Sequence, residues 1–269
     1  MNDLPTRKHA TVAMGVMLAA LFAGAPEAGR GAARVSILNT PNRGIQPQAA
    51  VNAEGTLHLI YFKGDAGAGD IFYVRREPGK EGFSKAMRVN SRPGSAIAVG
   101  TIRGGQFALG KNGRVHVAWN ASGKLKTDRG MFYTRLNDSG KAFEDQRDLM
   151  RASSILDGGG TVAADRSGNV YVAWHALKTG GERGENNRRV WVARSADDGK
   201  TFARETPAWE EATGACGCCA LHAFADSRGA LYLLYRSANA EVNRDIYLLA
   251  ADKDKSLAGA LLHKWKVPS

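Results

Sequence analysis

Cysteine is almost missing from this chain. Three occur in 269 residues, and all of them crowd into one short stretch as Cys216, Cys218 and Cys219. No framework of spaced bridges can hold such a chain, so its stability must come from an apolar core, for which the length suffices. Long apolar runs are scarce as well. Thr11 to Ala23 is one, too short for a comfortable transmembrane helix, and no later segment could span a bilayer. Also missing are runs of Lys and Arg with aromatics between them. The net charge of +11 admits acidic partners in general. Scattered as it is, it describes a soluble basic surface rather than a nucleic-acid-binding stripe.

Glycine, in contrast, is abundant at 32 residues, beside an apolar fraction of 43%. That balance suits an all-β protein with many turns. The N-terminus has the layout of an export signal over residues 1–28. Arg7, Lys8 and His9 form a positive start, the apolar run follows, and Ala23-Gly24-Ala25 offers small residues for cleavage. An uncleaved anchor is the alternative. Either way the expected location is exported, periplasmic or secreted.

The period of the chain decides the fold. Gly55, Gly113, Gly168 and Gly229 recur in polar turns, each followed by an apolar strand: Leu57-His58-Leu59-Ile60-Tyr61, Val115-His116-Val117-Ala118-Trp119, Val170-Tyr171-Val172-Ala173-Trp174 and Leu231-Tyr232-Leu233-Leu234-Tyr235. Tyr61, Trp119, Trp174 and Tyr235 fall in one column. His58, His116, Tyr171 and Tyr232 fall in another. A third strand and a short fourth complete each unit. The spacing predicts β-propeller blades of four antiparallel strands at about 46–90, 105–148, 159–207 and 221–267. One strand is left over at Arg34–Leu38.

Between the third and fourth strands of the third unit stands Ser195-Ala196-Asp197-Asp198-Gly199-Lys200-Thr201-Phe202. It fits S-x-D-x-G-x-T-[W/F], a turn in which Ser and Asp side chains satisfy backbone groups and Gly199 takes φ > 0. The second unit keeps Asp138, Gly140 and Phe143 of the pattern. The first and fourth units hold only remnants, around Gly82-Phe83 and Asp252-Lys253-Asp254. With these repeats the chain resembles the sialidase-like (neuraminidase) superfamily of Asp-box, or BNR-repeat, propellers, from Arg34 to Pro268. The resemblance implies that Ser195, Asp197, Gly199, Thr201 and Phe202 are structural, on the blade periphery. Because such rings generally have six blades, it also implies an incomplete propeller forming an open arc; a closed four-bladed ring with a spare N-terminal strand is the alternative.

Strand alternation puts the between-blade loops and the second-to-third loops at one end. There they are long and rich in charge, the usual place for a site. A sialidase needs arginines that clamp a carboxylate, a carboxylic acid, and a Tyr–Glu pair. The family's first arginine stands in an Arg-Ile-Pro motif, of which Arg43-Gly44-Ile45-Gln46-Pro47 is a stretched echo. Asp65 and Asp70 are candidates for the acid, Glu210 or Glu211 for the glutamate, and Arg236 and Arg244 for further arginines. The family's later arginine and its tyrosine have no counterpart. The plain alternative is that all of these are solvated loop charges or local ion pairs.

The remaining constellation is Cys216-Gly217-Cys218-Cys219 with His222 three residues on. Bridges between such near neighbours are strained, and one thiol is left over in any pairing. The cluster reads as a disulfide, one to a partner chain included, as packed or free thiols, or as a site for a soft metal such as copper or zinc. No other cofactor is implied. The expected protein is an exported propeller that binds a glycan or other small ligand at its loop-rich end, with exo-α-sialidase-like hydrolysis as an extension. The alternative is a non-catalytic propeller for protein contact or metal handling. No nucleic acid and no membrane beyond export is expected.

Overall fold

The computed structural model describes residues 35–100, 102–123, 130–240, 244–251 and 261–265, the last five as backbone alone. The expected export signal at 1–28, the loop residues Asp128 and Arg129, and the remnant at 252–254 lie outside the described residues. Residues 1–38 and 39–269 are separate compact units. In the first, Val35–Leu38 forms no strand, unlike the expectation. Val35 and Ile37 stand fully exposed, so no sheet face or ladder holds them.

The second unit is antiparallel sheet, interrupted by two single-turn 3-10 segments. Blade one consists of β1 (Ile45–Val51), β2 (Leu57–Asp65), β3 (Ala68–Arg76) and β4 (Met87–Arg88). Blade two has β5 (Gln106–Leu109), β6 (Val115–Asn120), β7 (Met131–Arg135) and β8 (Arg147–Asp148). Blade three adds β9 (Ser153–Ser154) to β10 (Gly160–Ala164), β11 (Val170–Lys178), β12 (Arg189–Ser195) and β13 (Thr206–Pro207). Blade four has β14 (His222–Ala225), β15 (Leu231–Arg236), β16 (Ile246–Ala251) and β17 (Leu261–Trp265). Each sheet runs in sequence order. The inner strands abut in turn, β1 with β5, β5 with β10 and β10 with β14. No comparable packing joins blade four to blade one among the described residues. The four blades thus follow one another along an open arc.

The repeat columns have a physical cause. All four turn glycines take positive φ, between 70° and 97°, which costs glycine nothing and other residues strain. In three of the turns a side chain closes the loop in the same way. Asn52 Oδ1 accepts from Thr56 N, Asp165 Oδ1 from Asn169 N, and Asp226 Oδ1 from Ala230 N. The aromatic column Tyr61, Trp119, Trp174 and Tyr235 is buried throughout. In the second column His58 Nδ1 meets Tyr73 Oη at 2.8 Å, and His116 Nδ1 meets Tyr133 Oη at 2.7 Å.

Two features differ from expectation. The fourth strands of blades one to three are only two residues long. The chain touches the third strand once after the turn (Ser84 N to Arg75 O, Glu144 N to Arg135 O, Ala203 N to Arg194 O), swings out, and rejoins it later. The second-to-third connection of blade one is also no long loop. β2 and β3 pair to Asp65–Ala68 as a tight hairpin.

The blades are clasped in pairs by side chains. Within the Asp-box turn, Ser195 Oγ donates to Asp197 Oδ1 and accepts from Gly199 N, while Asp197 accepts from Thr201 N and Oγ1. Burial pushes the Asp197 carboxyl upward, but these donors outweigh it and hold the group down at about 2. The next residue, Asp198, leaves its own blade. Its Oδ2 accepts from Arg114 Nε at 2.5 Å and lies 3.5 Å from Arg135 Nη1, and its Oδ1 lies 3.4 Å from His116 Nε2. Phe202 packs edge-on against Tyr133 of blade two, as Phe143 does against Tyr73 of blade one. A second clasp also repeats. Gln146 Oε1 accepts from Arg92 N, and Glu205 Oε1 from the amides of Arg151, Ala152 and Ser153.

Candidate functional site

The connection from blade three to blade four, 213–221, carries the thiols. It is held like an inserted strand. Ala215 N donates to Glu185 O, Cys216 N to Arg236 O, and Ala238 N to Thr213 O. A turn then brings Cys219 N to Cys216 O at 3.3 Å. This fold-back gathers the sulfurs, with Cys216 and Cys218 Sγ 3.0 Å apart, Cys216 and Cys219 3.3 Å, and Cys218 and Cys219 3.9 Å. All three thiols are free, from buried Cys216 through half-buried Cys219 to exposed Cys218. His222 does not join them; it sits exposed on β14.

An alternating chain of charges borders this cluster. Arg103 Nη2 donates to Asp157 Oδ1 at 2.9 Å, and Arg188 Nη2 to Asp157 Oδ2 at 2.7 Å. Arg188 Nη1 reaches Glu185 Oε1 at 3.2 Å, and Arg244 Nη1 donates to Glu185 Oε2 at 2.6 Å. Gly217 N points at Glu185 Oε1, and Arg236 Nη1 lies 3.5 Å from Cys219 Sγ. Burial would raise the Asp157 and Glu185 carboxyls, but their arginine partners outweigh it and keep both low. Among the thiols, burial opposes ionisation of Cys216, while its contacts with Cys218 and Cys219 outweigh it and shift the group downward; the same contacts push Cys218 up to about 11.

His175 lies beside this loop, wholly buried, neither ring nitrogen having a hydrogen-bond partner. Gly158 is tight between its Nδ1 and the Gly217 carbonyl, where a Cβ would meet both at 2.7 Å. Burial, and secondarily Arg188, push its pKa down to about 4. The folded chain thus refuses a proton that the unfolded chain takes up at about pH 6.5. Unfolding free energy is expected to fall as pH drops from about 6.5 to 4, by about 3 kcal/mol from this group. Urea titrations of the His175→Gln protein should lack that part of the decline; an unchanged profile would refute the assignment.

Next to the network is a cleft of about 620 Å³, formed by the ends of blades two and three. Arg103 and Arg183 are its cations, and Asn120, Ser122 and Ser154 supply polar groups. Ile97, Met150, Ile155 and Leu156 form its apolar lining. Among the described residues no carboxylate lines it. Ile155 is left-handed at φ 53° yet half exposed. That conformation is rare for a β-branched residue and must be held by its surroundings.

The other sequence candidates are placed elsewhere. Arg43 is exposed in a 3-10 turn beside a shallow cleft with Asn42, Ile45 and Lys63. Asp65 caps its own hairpin through Gly67 N. Asp70 Oδ1 accepts from Asn90 Nδ2 and Gly94 N, holding the loop between blades one and two. The Glu211 side chain is exposed, and it is its carbonyl that takes part, accepting from Arg189 and Thr213 N. Arg236 and Arg244 do meet, beside the thiols, where Arg236 Nε donates to Arg244 O. Glu185 and Arg188, central to the network, went unnoticed in the sequence. Their Glu-x-x-Arg spacing was the available signal.

No protein-family model matches the chain, and no curated protein matches it. Solved structures do. An α-L-arabinanase of Penicillium chrysogenum matches at a TM-score of 0.54 and 12% identity, over 85% of this chain and 68% of its own. The polysaccharide lyase Uly1 matches at 0.52 and 12%, over 82% of this chain and 49% of its own. A Hadza microbial sialidase, Hz136, matches at 0.48 and 13%, over 82% and 46%, too loosely to single out sialidases. The chain thus spans about half the length of the lyase and of the sialidase. What is shared is the β-propeller fold.

Proposed function

We propose that this propeller is an exported carbohydrate-binding protein, with an anionic glycan held in the cleft between blades two and three. The observation that carries the reading is the cleft itself. Arg183, which has no carboxylate partner among the described residues, and Arg103, whose one carboxylate contact is Nη2 to Asp157, favour an acidic sugar, since Arg matches carboxylate and sulfate oxygens bidentately. The apolar lining suits the faces of sugar rings. The fold shared with a polysaccharide lyase and an arabinanase agrees with that ligand class. Export rests on residues 1–28.

The reading stops at binding. Glycoside hydrolysis uses two carboxylates across the scissile bond. Asp65, Asp70 and Glu211 are not among the residues lining the cleft.

Equilibrium binding to matched neutral and uronate-containing or sulfated oligosaccharides tests this. The anionic series is expected to bind more tightly and to weaken with salt. Arg183 is exposed, and among the described residues its side chain makes no hydrogen bond or ion pair. Arg183→Ala should weaken the anionic ligands by about 10-fold or more, the worth of one charge-assisted hydrogen bond. Its stability should stay within about 0.5 kcal/mol of the parent. Equal binding of neutral and anionic sugars, or indifference to Arg183→Ala, would sink the reading.

A further inference from the structure

We propose that Cys216, Cys218 and Cys219 together bind one copper(I) ion through three sulfurs. This goes beyond glycan binding and does not depend on it. The geometry is the first argument. The three Sγ atoms face one another within 3.9 Å, around a turn that runs from buried Cys216 to exposed Cys218. Metal–sulfur bonds of about 2.3 Å set three sulfurs about 4 Å apart in a trigonal plane. The thiols need to spread only slightly, and exposed Cys218 is free to do so.

The donor count is the second argument. Among the described residues no His, Asp or Glu completes the group, His222 included. Zinc is almost always four-coordinate in closed protein sites. Thiolates alone, three in number, suit the softer monovalent copper.

Charge is the third. Three thiolates and one Cu⁺ carry −2. The bordering network holds four guanidiniums against two carboxylates, a surplus of +2. Arg236, facing Cys219 with no carboxylate of its own among those pairs, is the neutralising group at the sulfurs. The competing arrangement is a bridge. It would lie between neighbours whose separation strains a disulfide, and it would leave one thiol over. The site opens to solvent at Cys218, so the ion is exchangeable, unlike one sealed in a core.

The test uses the full chain, reduced and kept free of oxygen. It is titrated with copper(I) against a chromophoric copper(I) chelator, and separately with zinc. One copper(I) per chain is expected, with three sulfur neighbours by X-ray absorption and no zinc bound at matched concentrations. Cys218→Ser should weaken copper(I) binding by at least about 100-fold, and Arg236→Gln, which leaves the sulfurs in place, by about 10-fold. Circular dichroism of the metal-free variants checks that they fold. The sulfur count on the unmodified protein needs no variant at all. Two sulfur neighbours, zinc bound as tightly as copper(I), no uptake by the reduced chain, or undiminished binding by folded Cys218→Ser would each overturn the proposal.

Discussion

Replacing Asp198 with alanine is expected to destabilise the protein by about 2–3 kcal/mol, the scale for losing charge-assisted hydrogen bonds from arginines that keep a second carboxylate partner. The carboxylate is the anionic partner that blade three contributes to blade two. Without it Arg114 and Arg135 keep Asp138 and Glu144 as partners at 2.6 and 2.7 Å, but their bonds to blade three are lost, and the side chains of Arg135 and His116 facing the gap are almost wholly buried. Backbone strain adds to the loss. Asp198 sits at φ 62°, a region that Asp tolerates and alanine does not. Asp198→Gly should therefore be about 1 kcal/mol less harmful than Asp198→Ala, since it loses the same contacts without the strain. Asp197→Ala, next door, should cost only about 1–2 kcal/mol, because its hydrogen bonds close an exposed turn. Chemical denaturation of the three variants ranks them. The clasp is refuted if Asp198→Ala proves no worse than Asp197→Ala.

The second large effect is expected at Glu205. One of its oxygens collects three backbone amides and the hydroxyl of Ser153, at 2.6–2.9 Å, inside the protein. Alanine would leave those donors buried without an acceptor. Each such charge-assisted bond is worth about 1.5–3 kcal/mol, and the contributions do not add. A loss of about 3–5 kcal/mol follows. Glu205→Gln keeps an acceptor oxygen and should lose less than half as much. Burial raises the carboxyl's pKa, but the amides outweigh it and the net shift is downward. The stabilisation is therefore complete above the unfolded value, about 4.3, and disappears as pH falls through the lower folded value. This window lies below that of His175, and because Asp157, Glu185 and Asp198 share it, comparison with Glu205→Gln isolates the Glu205 part. An alanine variant within 1 kcal/mol of the parent at pH 7 would contradict this account.

These two residues also mark where sequence reading stops. The strands, the glycine turns and the aromatic column were legible because they repeat, and each repeat answers to one local cause: φ > 0 at the turn, or burial on one strand face. Cys216, Cys218 and Cys219 stood out because they are contiguous. Asp198 occupies an unspecified position of its motif, and its partners lie about a blade earlier in sequence. Arg103, Asp157, the pair Glu185 and Arg188, and Arg244 come from four loops whose lengths differ, so no period brings them into register on the page. The fourth strands were overestimated because apolar character does not reveal where a chain swings out of its ladder. The Gln146 and Glu205 hooks recur 59 residues apart, a repeat of contact without a repeat of residue type.

The Asp198 clasp points backwards, from blade three to blade two, while Gln146 and Glu205 reach back to the connections that lead into their own blades. Blades two and three thereby pin the chain that precedes them. A chain emerging from synthesis would hold that preceding stretch unpinned until the later turn arrived, so the growing end is always the soft one. Duplicating or deleting a single blade without the connection that leads into it would join a hook to the wrong socket, since glutamine and glutamate meet different loops.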